Sequence, residues 1–137
     1  MTAVRMVIGE ERFLARLETA AAPLTAAIFL ARLPYEARVI HARWSGEAIW
    51  IPTGEQPGAP APENLLDQPG AGQLLWYGGG ISEPELLIPY GGARFACSAG
   101  PLGGNHFLTV TEGLERLGQV GQAVLWNGAR KIRFEAA

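Results

Sequence analysis

Alternating apolar and polar residues at the two ends of the chain predict β-strands. Apolar side chains occupy every second position over residues 4–8 and again over 13–17, with Gly9-Glu10 between the two runs. This period of two is that of a strand with one buried face, and two such runs around a short turn predict a hairpin. The alternation returns over residues 131–135. We expect the first and last strands to pair, which closes a barrel and leaves no exposed edge.

Two segments have a helical period instead. Over residues 23–33 the apolar positions fall at i, i+3, i+4 and i+7, which predicts a helix with one buried stripe. Pro23 suits the first helical position, and Pro34 ends the segment. A weaker pattern predicts a second helix over about 112–120, capped by Thr111. The positions predicted to be buried are Leu24, Ala27, Ile28 and Ala31 in the first helix, and Leu114, Leu117 and Gly118 in the second.

Short runs between glycines and prolines predict the rest of the sheet. The chain has 18 glycines and 10 prolines, a density of turn residues that favours an all-β barrel over a helical bundle. The irregular stretch 52–72 is predicted to be a functional loop, a packed Ω-loop or a surface excursion without a task. Further strands are predicted over residues 39–44, 48–51, 73–76, 85–89, 94–97, 107–110 and 122–125. The pattern therefore indicates one mainly β domain over residues 1–137.

Composition and charge exclude several classes of function. With 48% hydrophobic and 18% charged residues, the chain is expected to fold rather than to remain disordered. A net charge of −2 argues against nucleic acid as a partner. Cys97 is the only cysteine, which excludes an intramolecular disulfide and favours a reducing, cytoplasmic setting. No signal-peptide pattern is present, and the apolar stretch 20–33 is too short to span a bilayer, so we expect no membrane partner.

Four segments, in the same order, resemble parts of the cyclophilins. Residues 22–30 resemble their first helix, which opens with proline and threonine and carries a buried phenylalanine. Residues 40–43 stand where that family has Phe-His-Arg. Glu63-Asn64 and residues 70–74 look like its Glu-Asn and Gly-Pro-Gly-x-Leu, and residues 104–110 are similar to its Asn-Gly-Ser-Gln-Phe-Phe-Ile. The resemblance covers most of the chain and implies a closed eight-stranded β-barrel with two short helices.

Three runs are similar to a bacterial family of small cyclophilin-like proteins of unknown function. These runs are residues 41–47, 79–83 and 103–107. This second resemblance implies the same barrel and leaves the activity open.

The densest polar group in an otherwise apolar stretch is His41, Arg43 and Glu47. If residues 39–44 form a strand, Val39, His41 and Arg43 share one face. A histidine and an arginine that point from a barrel strand into a cleft can hold a carboxylate or a carbonyl group. In the cyclophilins the arginine that Arg43 matches serves prolyl isomerisation, so the resemblance implies a catalytic role there. The alternative is a surface ion pair between Arg43 and Glu47.

His106 is the second candidate for acid–base chemistry near neutral pH. It stands between Asn105, which can bind a ligand or hold a turn, and Phe107, which matches a pocket phenylalanine of the cyclophilins. His106 replaces a glutamine of that family and Leu108 replaces its second aromatic residue, so the likeness to the proline pocket is incomplete. The alternative is a structural histidine at a strand edge.

Aromatic residues are candidates for the walls of a pocket that takes a flat ligand, or for core packing. They are Trp44, Trp50, Tyr77 and Tyr90. The histidines and glutamates lack the spacing of a metal-binding helix, so we expect neither a metal nor a cofactor.

Three functions are consistent with these residues. The first is a pocket that binds or transforms a small anionic or amide-containing metabolite. In that pocket His41, Arg43 and His106 would be catalytic, and Trp44, Glu47, Tyr90, Asn105 and Phe107 would bind the ligand. The second is a peptidyl-prolyl isomerase acting on a peptide, and the third is a non-catalytic barrel for interaction or assembly. A homo-oligomer is compatible with each.

Overall fold

The opening hairpin is present, and the barrel continues from it. The computed structural model describes residues 3–54 and 61–137, so residues 55–60 of the predicted loop lie outside the described residues. A single 3-10 turn, Arg43–Ser45, separates the third and fourth strands. In chain order the elements are β1 (Ala3–Ile8), β2 (Glu11–Leu17), α1 (Pro23–Ala31), β3 (Tyr35–His41), β4 (Gly46–Pro52), β5 (Leu65–Leu66), β6 (Gln73–Tyr77), β7 (Glu85–Ala93), β8 (Ala96–Cys97), β9 (Gly100–Pro101), β10 (Gly104–Glu112), α2 (Leu114–Asn127) and β11 (Arg130–Ala136).

Eight of these strands close an antiparallel barrel. Around the ring their order is β1, β11, β3, β4, β7, β6, β10 and β2, and β2 pairs back onto β1. Val4 lies opposite Ala136 and Ile8 lies opposite Ile132, so the first and last strands are neighbours as predicted. β5 pairs beside the start of β10, and β8 and β9 form a separate hairpin. The prediction of a mainly β, closed eight-stranded barrel with two helices is confirmed.

A helix covers each end of the barrel, and both contribute to the interior core. Phe29 of α1 packs edge-on against Phe107 and Phe134, with ring centroids 4.9 and 5.2 Å apart. It also contacts Tyr35, at the start of β3. α2 lies at the opposite end of that strand. Its Gln122 side chain donates to the hydroxyl of Tyr90, and that hydroxyl lies beside His41, the last residue of β3. Chemistry at the α2 end is therefore separated from α1 by the packed core.

The buried face of α1 differs from the predicted one. Ala26 and Phe29 are buried together with Thr25, whereas Leu24 is 61% exposed. Nearly every residue of α1 is apolar, so the period alone does not choose a face. The large ring of Phe29 fills the end of the barrel and decides which side faces inward. The predicted stripe is therefore wrong, although the helix and its buried phenylalanine are present.

A second apolar cluster covers the outer face of β4, β6 and β7. Successive residues of a strand point to opposite faces, so these strands bury side chains on both sides and are apolar almost throughout. The segment that carries β8 and β9 packs over this outer face through Phe95 and Leu102. The members of the outer cluster are Ala42, Ala48, Trp50, Leu75, Tyr77, Leu87, Phe95 and Leu102.

α2 is longer than predicted and replaces a predicted strand. The buried residues Leu117, Val120, Gly121 and Val124 follow one another at i, i+3, i+4 and i+7, so the helical period continues through residues 122–125. The strand predicted there is wrong, because its apolar residues belong to the helix. Thr111 does not cap the helix, since its hydroxyl donates to the carbonyl of Leu14 and Gly113 occupies the cap position.

The C-terminal part of the predicted loop is held against α1. The Glu63 carboxylate accepts the backbone N–H groups of Leu24 and Thr25 and the Thr25 hydroxyl, at 2.6 to 3.1 Å. Burial would raise the pKa of Glu63, but the hydrogen bonds from Thr25 and Leu24 outweigh it and lower that pKa. Residue 63 thus satisfies the first turn of a helix whose own N-cap, Ala22, has no side chain to do so.

Candidate functional site

Several predicted site residues meet at the α2 end of the barrel. The Nε2 atom of His41, at the end of β3, lies 2.7 Å from the Tyr90 hydroxyl on β7. Burial, and then the nearby Arg43, lower the pKa of His41. Burial, and then Glu47, raise the pKa of Tyr90, and a hydrogen bond from Gln122 only partly offsets this. At neutral pH the site therefore combines a neutral imidazole with a protonated phenol.

Arg43 lies at this end of the barrel in a turn that the sequence does not predict. β3 ends at His41, and Arg43 lies in the 3-10 turn that follows, where it is exposed. The prediction that Val39, His41 and Arg43 share one strand face is therefore wrong for Arg43. A turn is needed here because the chain reverses direction between β3 and β4, which are antiparallel neighbours.

Two side chains of α2 complete the polar cluster. Gln122 donates to the Tyr90 hydroxyl at 3.3 Å, and the Trp126 indole N–H donates to the Gln122 carbonyl at 3.2 Å. Sequence reasoning missed Gln122 because residues 122–125 were assigned to a strand. The signal for it is the stripe at 117, 120, 121 and 124, which places residues 122 and 126 one helical turn apart on a neighbouring face.

An open groove of about 700 Å³ lies over these residues, between β7 and α2. We call it the α2 groove and define its polar and aromatic lining as Glu47, Tyr90, Gln119, Gln122, Trp126 and Asn127. Trp126 is 76% exposed, so one face of the indole is open to a ligand. Glu47 is exposed and its carboxylate accepts the backbone N–H of Gly92 at 3.0 Å. The lining is therefore rich in carboxamides and carries one negative charge.

The position of Tyr90 depends on a close contact with α2. A Cβ atom on Gly121 would lie 2.2 Å from Cδ2 of the Tyr90 ring. Only glycine lets the helix approach this closely, and the approach brings Gln122 within hydrogen-bonding distance of the phenol. Gly121 is thus a positioning residue for the α2 groove.

His106 lies on the opposite side of the barrel from His41. β10 and β3 are separated by four steps around the ring in either direction. The register of β10 shifts after His106, so Phe107 and Leu108 both face the core while His106 and Thr109 both face outward. The Nε2 atom of His106 lies 2.7 Å from the Thr109 hydroxyl, which donates to Glu18 at 2.6 Å. The structure does not bring His106 together with His41.

The electrostatics of this second cluster differ from those at the α2 groove. Burial lowers the pKa of His106; Glu18 opposes this effect and Arg16 adds to it. Burial would raise the pKa of Glu18, but hydrogen bonds from Thr109 and Arg16, and then the positive charge of Arg16, lower it. The Thr109 hydroxyl thus links a neutral imidazole to a carboxylate.

Asn105 and Phe107 have structural partners. Asn105 is 2% exposed; its carbonyl accepts the backbone N–H of Glu63, and its amide donates to Thr25 at 3.0 Å. Phe107 has no exposed surface and packs on Phe29. Both side chains therefore hold the core and the segment beside α1 in place, and neither opens onto the α2 groove.

Trp44 contributes to a different cavity from Tyr90. It is 55% exposed and packs edge-on against Trp50, with ring centroids 5.6 Å apart. Tyr77 lies in the outer cluster, where its hydroxyl accepts the backbone N–H groups of Ile81 and Ser82. The aromatic residues singled out in the sequence thus divide among two cavities and the outer cluster.

Within residues 3–54 and 61–137, no group of three or more histidine, cysteine, aspartate or glutamate side chains is arranged to hold a metal ion. Among the same residues, neither helix has the length and apolar character needed to cross a membrane.

Comparisons with known proteins identify the family and the fold. Residues 5–136 match the model of a family described as "Protein of unknown function (DUF3830)". No curated protein matches the chain. The structure of McbB in complex with tryptophan superposes with a TM-score of 0.70 at 18% identity, covering 96% of this chain and 44% of McbB, so this chain spans less than half the length of McbB. The solution structure of the hypothetical protein AF2241 from Archaeoglobus fulgidus gives 0.67 at 16% identity, covering 99% of this chain and 95% of AF2241. At these identities the likeness shows the fold.

Proposed function

The chain belongs to the DUF3830 family, which has no assigned function, and we propose that it binds a small amide-containing molecule in the α2 groove. The observation that carries this proposal is the hydrogen-bonded chain that runs from His41 through Tyr90 and Gln122 to Trp126, the last three of which line the groove. The ligand's carbonyl group would accept a hydrogen bond from Tyr90, and its apolar part would lie on the indole of Trp126.

The Tyr90 hydroxyl has the donors and acceptors that this role requires. A phenol accepts two hydrogen bonds and donates one. Gln122 fills one acceptor position, and His41 fills the second when its proton is on Nε2. In that tautomer the buried, unpartnered Nδ1 atom of His41 is an acceptor rather than an orphaned donor, which is the less costly arrangement. The hydroxyl proton of Tyr90 is then left for a carbonyl in the groove.

The charge of the lining favours an amide over an anion. Glu47 is the charged residue of the lining, and the neighbouring polar groups of α2 are the carboxamides of Gln119, Gln122 and Asn127. A carboxylate ligand would face Glu47 without an opposing charge in the lining, whereas an amide both donates to and accepts from carboxamides. Arg43 lies close enough to lower the pKa of His41 but stands outside the lining. The anionic class is the weaker alternative for this reason.

One structural neighbour suggests which compounds to try first. McbB, of which 44% superposes on this chain, was solved in complex with tryptophan. A fold hosts many unrelated functions, so this likeness makes indole-bearing compounds suitable probes and does not identify the ligand. The volume of about 700 Å³ is within the range of small-molecule sites.

Calorimetry with N-acetyltryptophan amide and N-acetyltryptophan, neither of which carries an ammonium group, tests the proposal. The expected result is that the amide binds wild type more tightly than the acid, because only the acid brings a negative charge towards Glu47. Trp126→Ala and Tyr90→Phe should weaken the amide about tenfold or more, the value of one stacked ring or one hydrogen bond in a partly buried site. Trp44→Ala is the matched control, since it removes an exposed tryptophan elsewhere and should leave affinity unchanged. Equal affinity in wild type and Trp126→Ala, or no binding of the amide, would overturn the proposal.

The anionic alternative has its own matched pair of variants. Arg43→Ala and Arg38→Ala each remove one exposed arginine, near the groove and away from it respectively. If N-acetyltryptophan bound more tightly than its amide and only Arg43→Ala abolished that binding, the ligand would be an anion held by Arg43. An unchanged affinity in Arg43→Ala confirms that the arginine is not part of the site.

Two further points belong to the same proposal. The cyclophilin-like character of the barrel is supported by the eight antiparallel strands with a helix at each end. A cytoplasmic location is supported by the single cysteine.

The neutral His41, 2.7 Å from the Tyr90 hydroxyl, gives the groove a pair that is able to exchange a proton with a bound carbonyl compound.

A further inference from the structure

A second cavity, separate from the α2 groove, lies against the outer face of β4 and β7. We call it the tryptophan pocket and define it by Trp44, Trp50, Ser82, Glu83, Glu85 and Ser98. Its volume is about 460 Å³, within the range of small-molecule sites. β4 and β7 pair here with Pro52 opposite Glu85, so Trp50 and Glu85 point to the same, outer side of the sheet. None of the residues that define the α2 groove lines it.

Two buried polar atoms in this pocket lack partners. Glu85 is 3% exposed, and its Oε2 atom has no hydrogen bond. Trp50 is 7% exposed, and its indole N–H is likewise unpaired. Buried polar groups are almost always satisfied, because each orphan costs about 1–3 kcal/mol. Both atoms belong to residues that line the same cavity, so one molecule bound there would supply both missing partners.

The walls and the charge of the pocket define the chemistry of that molecule. Trp44 and Trp50 meet at an interplanar angle of 77°, so their rings form an aromatic corner. Glu83 and Glu85 stand beside this corner, and the described lining contains no lysine, arginine or histidine. Aromatic faces and carboxylates both attract cations and repel anions. The described residues provide no ligand set for a metal ion, which leaves an organic cation.

We propose that the tryptophan pocket binds a small primary amine that carries an acceptor oxygen. The ammonium group donates to Oε2 of Glu85 and lies against the rings of Trp44 and Trp50. The acceptor oxygen receives the indole N–H of Trp50. An N–H donor is required on the cation because the open atom of Glu85 is an acceptor, so a quaternary ammonium leaves that atom unsatisfied.

Binding of this amine is coupled to the release of a proton from Glu85. Burial, and then the neighbouring Glu83, raise the pKa of Glu85 to about 7. Besides Glu83, the titratable groups nearby are Cys97 on β8 and Tyr77, which lies opposite Glu85 on β6. The amine binds the ionised carboxylate, so below this pKa each binding event releases one proton to the buffer. Affinity therefore rises with pH and levels off once Glu85 is ionised in the free protein.

Calorimetry with 2-phenoxyethylamine tests the proposal, with two matched compounds beside it. 2-Phenoxyethanol keeps the ring and ether oxygen but lacks the charge, and trimethyl(2-phenoxyethyl)ammonium keeps the charge but lacks N–H groups. The amine should bind at least about tenfold more tightly than either, the value of a charge-assisted hydrogen bond. Equal affinity of the alcohol, or tighter binding of the quaternary ion, would overturn the proposal.

Protein variants locate the site. Glu85→Gln should weaken the amine about tenfold or more and abolish the rise of affinity with pH, while Trp44→Ala should weaken it about fivefold. Trp126→Ala, which changes the α2 groove, is the matched control and should leave the affinity as in wild type. An affinity that Glu85→Gln leaves unchanged, or that Trp126→Ala reduces as much as Trp44→Ala does, shows that the amine binds elsewhere.

Discussion

Two glycines of α2 provide a direct test of how the helix is seated on the barrel. Gly121 lies against Tyr90, where an added Cβ atom would be 2.2 Å from Cδ2 and 2.5 Å from Cγ of the ring. Gly118 is one turn earlier, and an added Cβ atom there has nothing within 4 Å. Alanine at both positions has the same intrinsic effect on the helix, so the difference between the two variants measures the contact with Tyr90.

The two alanine variants should change the free energy of unfolding in opposite directions. Glycine to alanine in a helix interior stabilises by about 1 kcal/mol, and Gly118→Ala should approach that gain. At Gly121 the ring or the helix must move by about 1.3–1.8 Å to reach an ordinary carbon–carbon contact, and overpacking of this kind costs about 1–3 kcal/mol. Displacing the ring also strains the hydrogen bonds of its hydroxyl with His41 and Gln122, each worth about 1 kcal/mol. We expect Gly121→Ala to destabilise the protein by about 2 kcal/mol net.

Equilibrium unfolding in urea measures both variants on the same scale. The free energies of unfolding of Gly118→Ala and Gly121→Ala should differ by about 3 kcal/mol with equal dependence on denaturant. Gly121→Ala should also lose the binding of N-acetyltryptophan amide, because Tyr90 and Gln122 are displaced from each other. If both variants were stabilised alike, α2 would not lie as close to Tyr90 as the structure shows.

Three other expectations follow from the described contacts. Because burial, and then Glu83, raise the pKa of Glu85 from 4.5 to about 7, the folded protein holds this proton more tightly than the unfolded chain does. The resulting stability is complete below the unfolded pKa and is lost by about 3 kcal/mol as pH rises through the folded one. Urea unfolding should show this loss in wild type, a smaller loss in Glu83→Gln and none in Glu85→Gln. Glu63→Gln should lower the free energy of unfolding by about 1 kcal/mol in the same assay, since a neutral amide oxygen caps α1 less well than a carboxylate, and an unchanged value would refute the capping role. A proline-peptide assay should show no acceleration of cis–trans exchange, because Phe107 has no exposed surface to offer a proline, and a measured acceleration would contradict this.

The strands were predictable where one face is buried and the other is exposed. β1, β2 and β11 alternate cleanly, and both the hairpin and the pairing of the first and last strands are confirmed. α2 was only half predictable, because the short apolar run at residues 123–125 fits a strand as well as a helix. The buried face of α1 was not predictable, since its residues are apolar all round.

The site residues were predictable as residue types but not as a group. His41 and Tyr90 are far apart in the sequence. They meet because their strands, β3 and β7, both pair with β4. Glu85 appears in the sequence as one acidic residue before an apolar run. Its burial results from the outer cluster and the segment that carries β8 and β9, which pack over a face of the sheet that a period-two pattern assigns to solvent.

The position of β11 in the ring limits how far the barrel can fold during translation. β11 lies between β1 and β3, yet it is made after every other strand of the barrel. Until it leaves the exit tunnel, β1 and β3 each keep one edge of unpaired N–H and C=O groups. Closure of the ring must therefore wait until β11 has been made, and its contacts with β1 join residues more than a hundred positions apart. Until then, we expect the nascent chain to be a substrate for chaperones that cover strand edges.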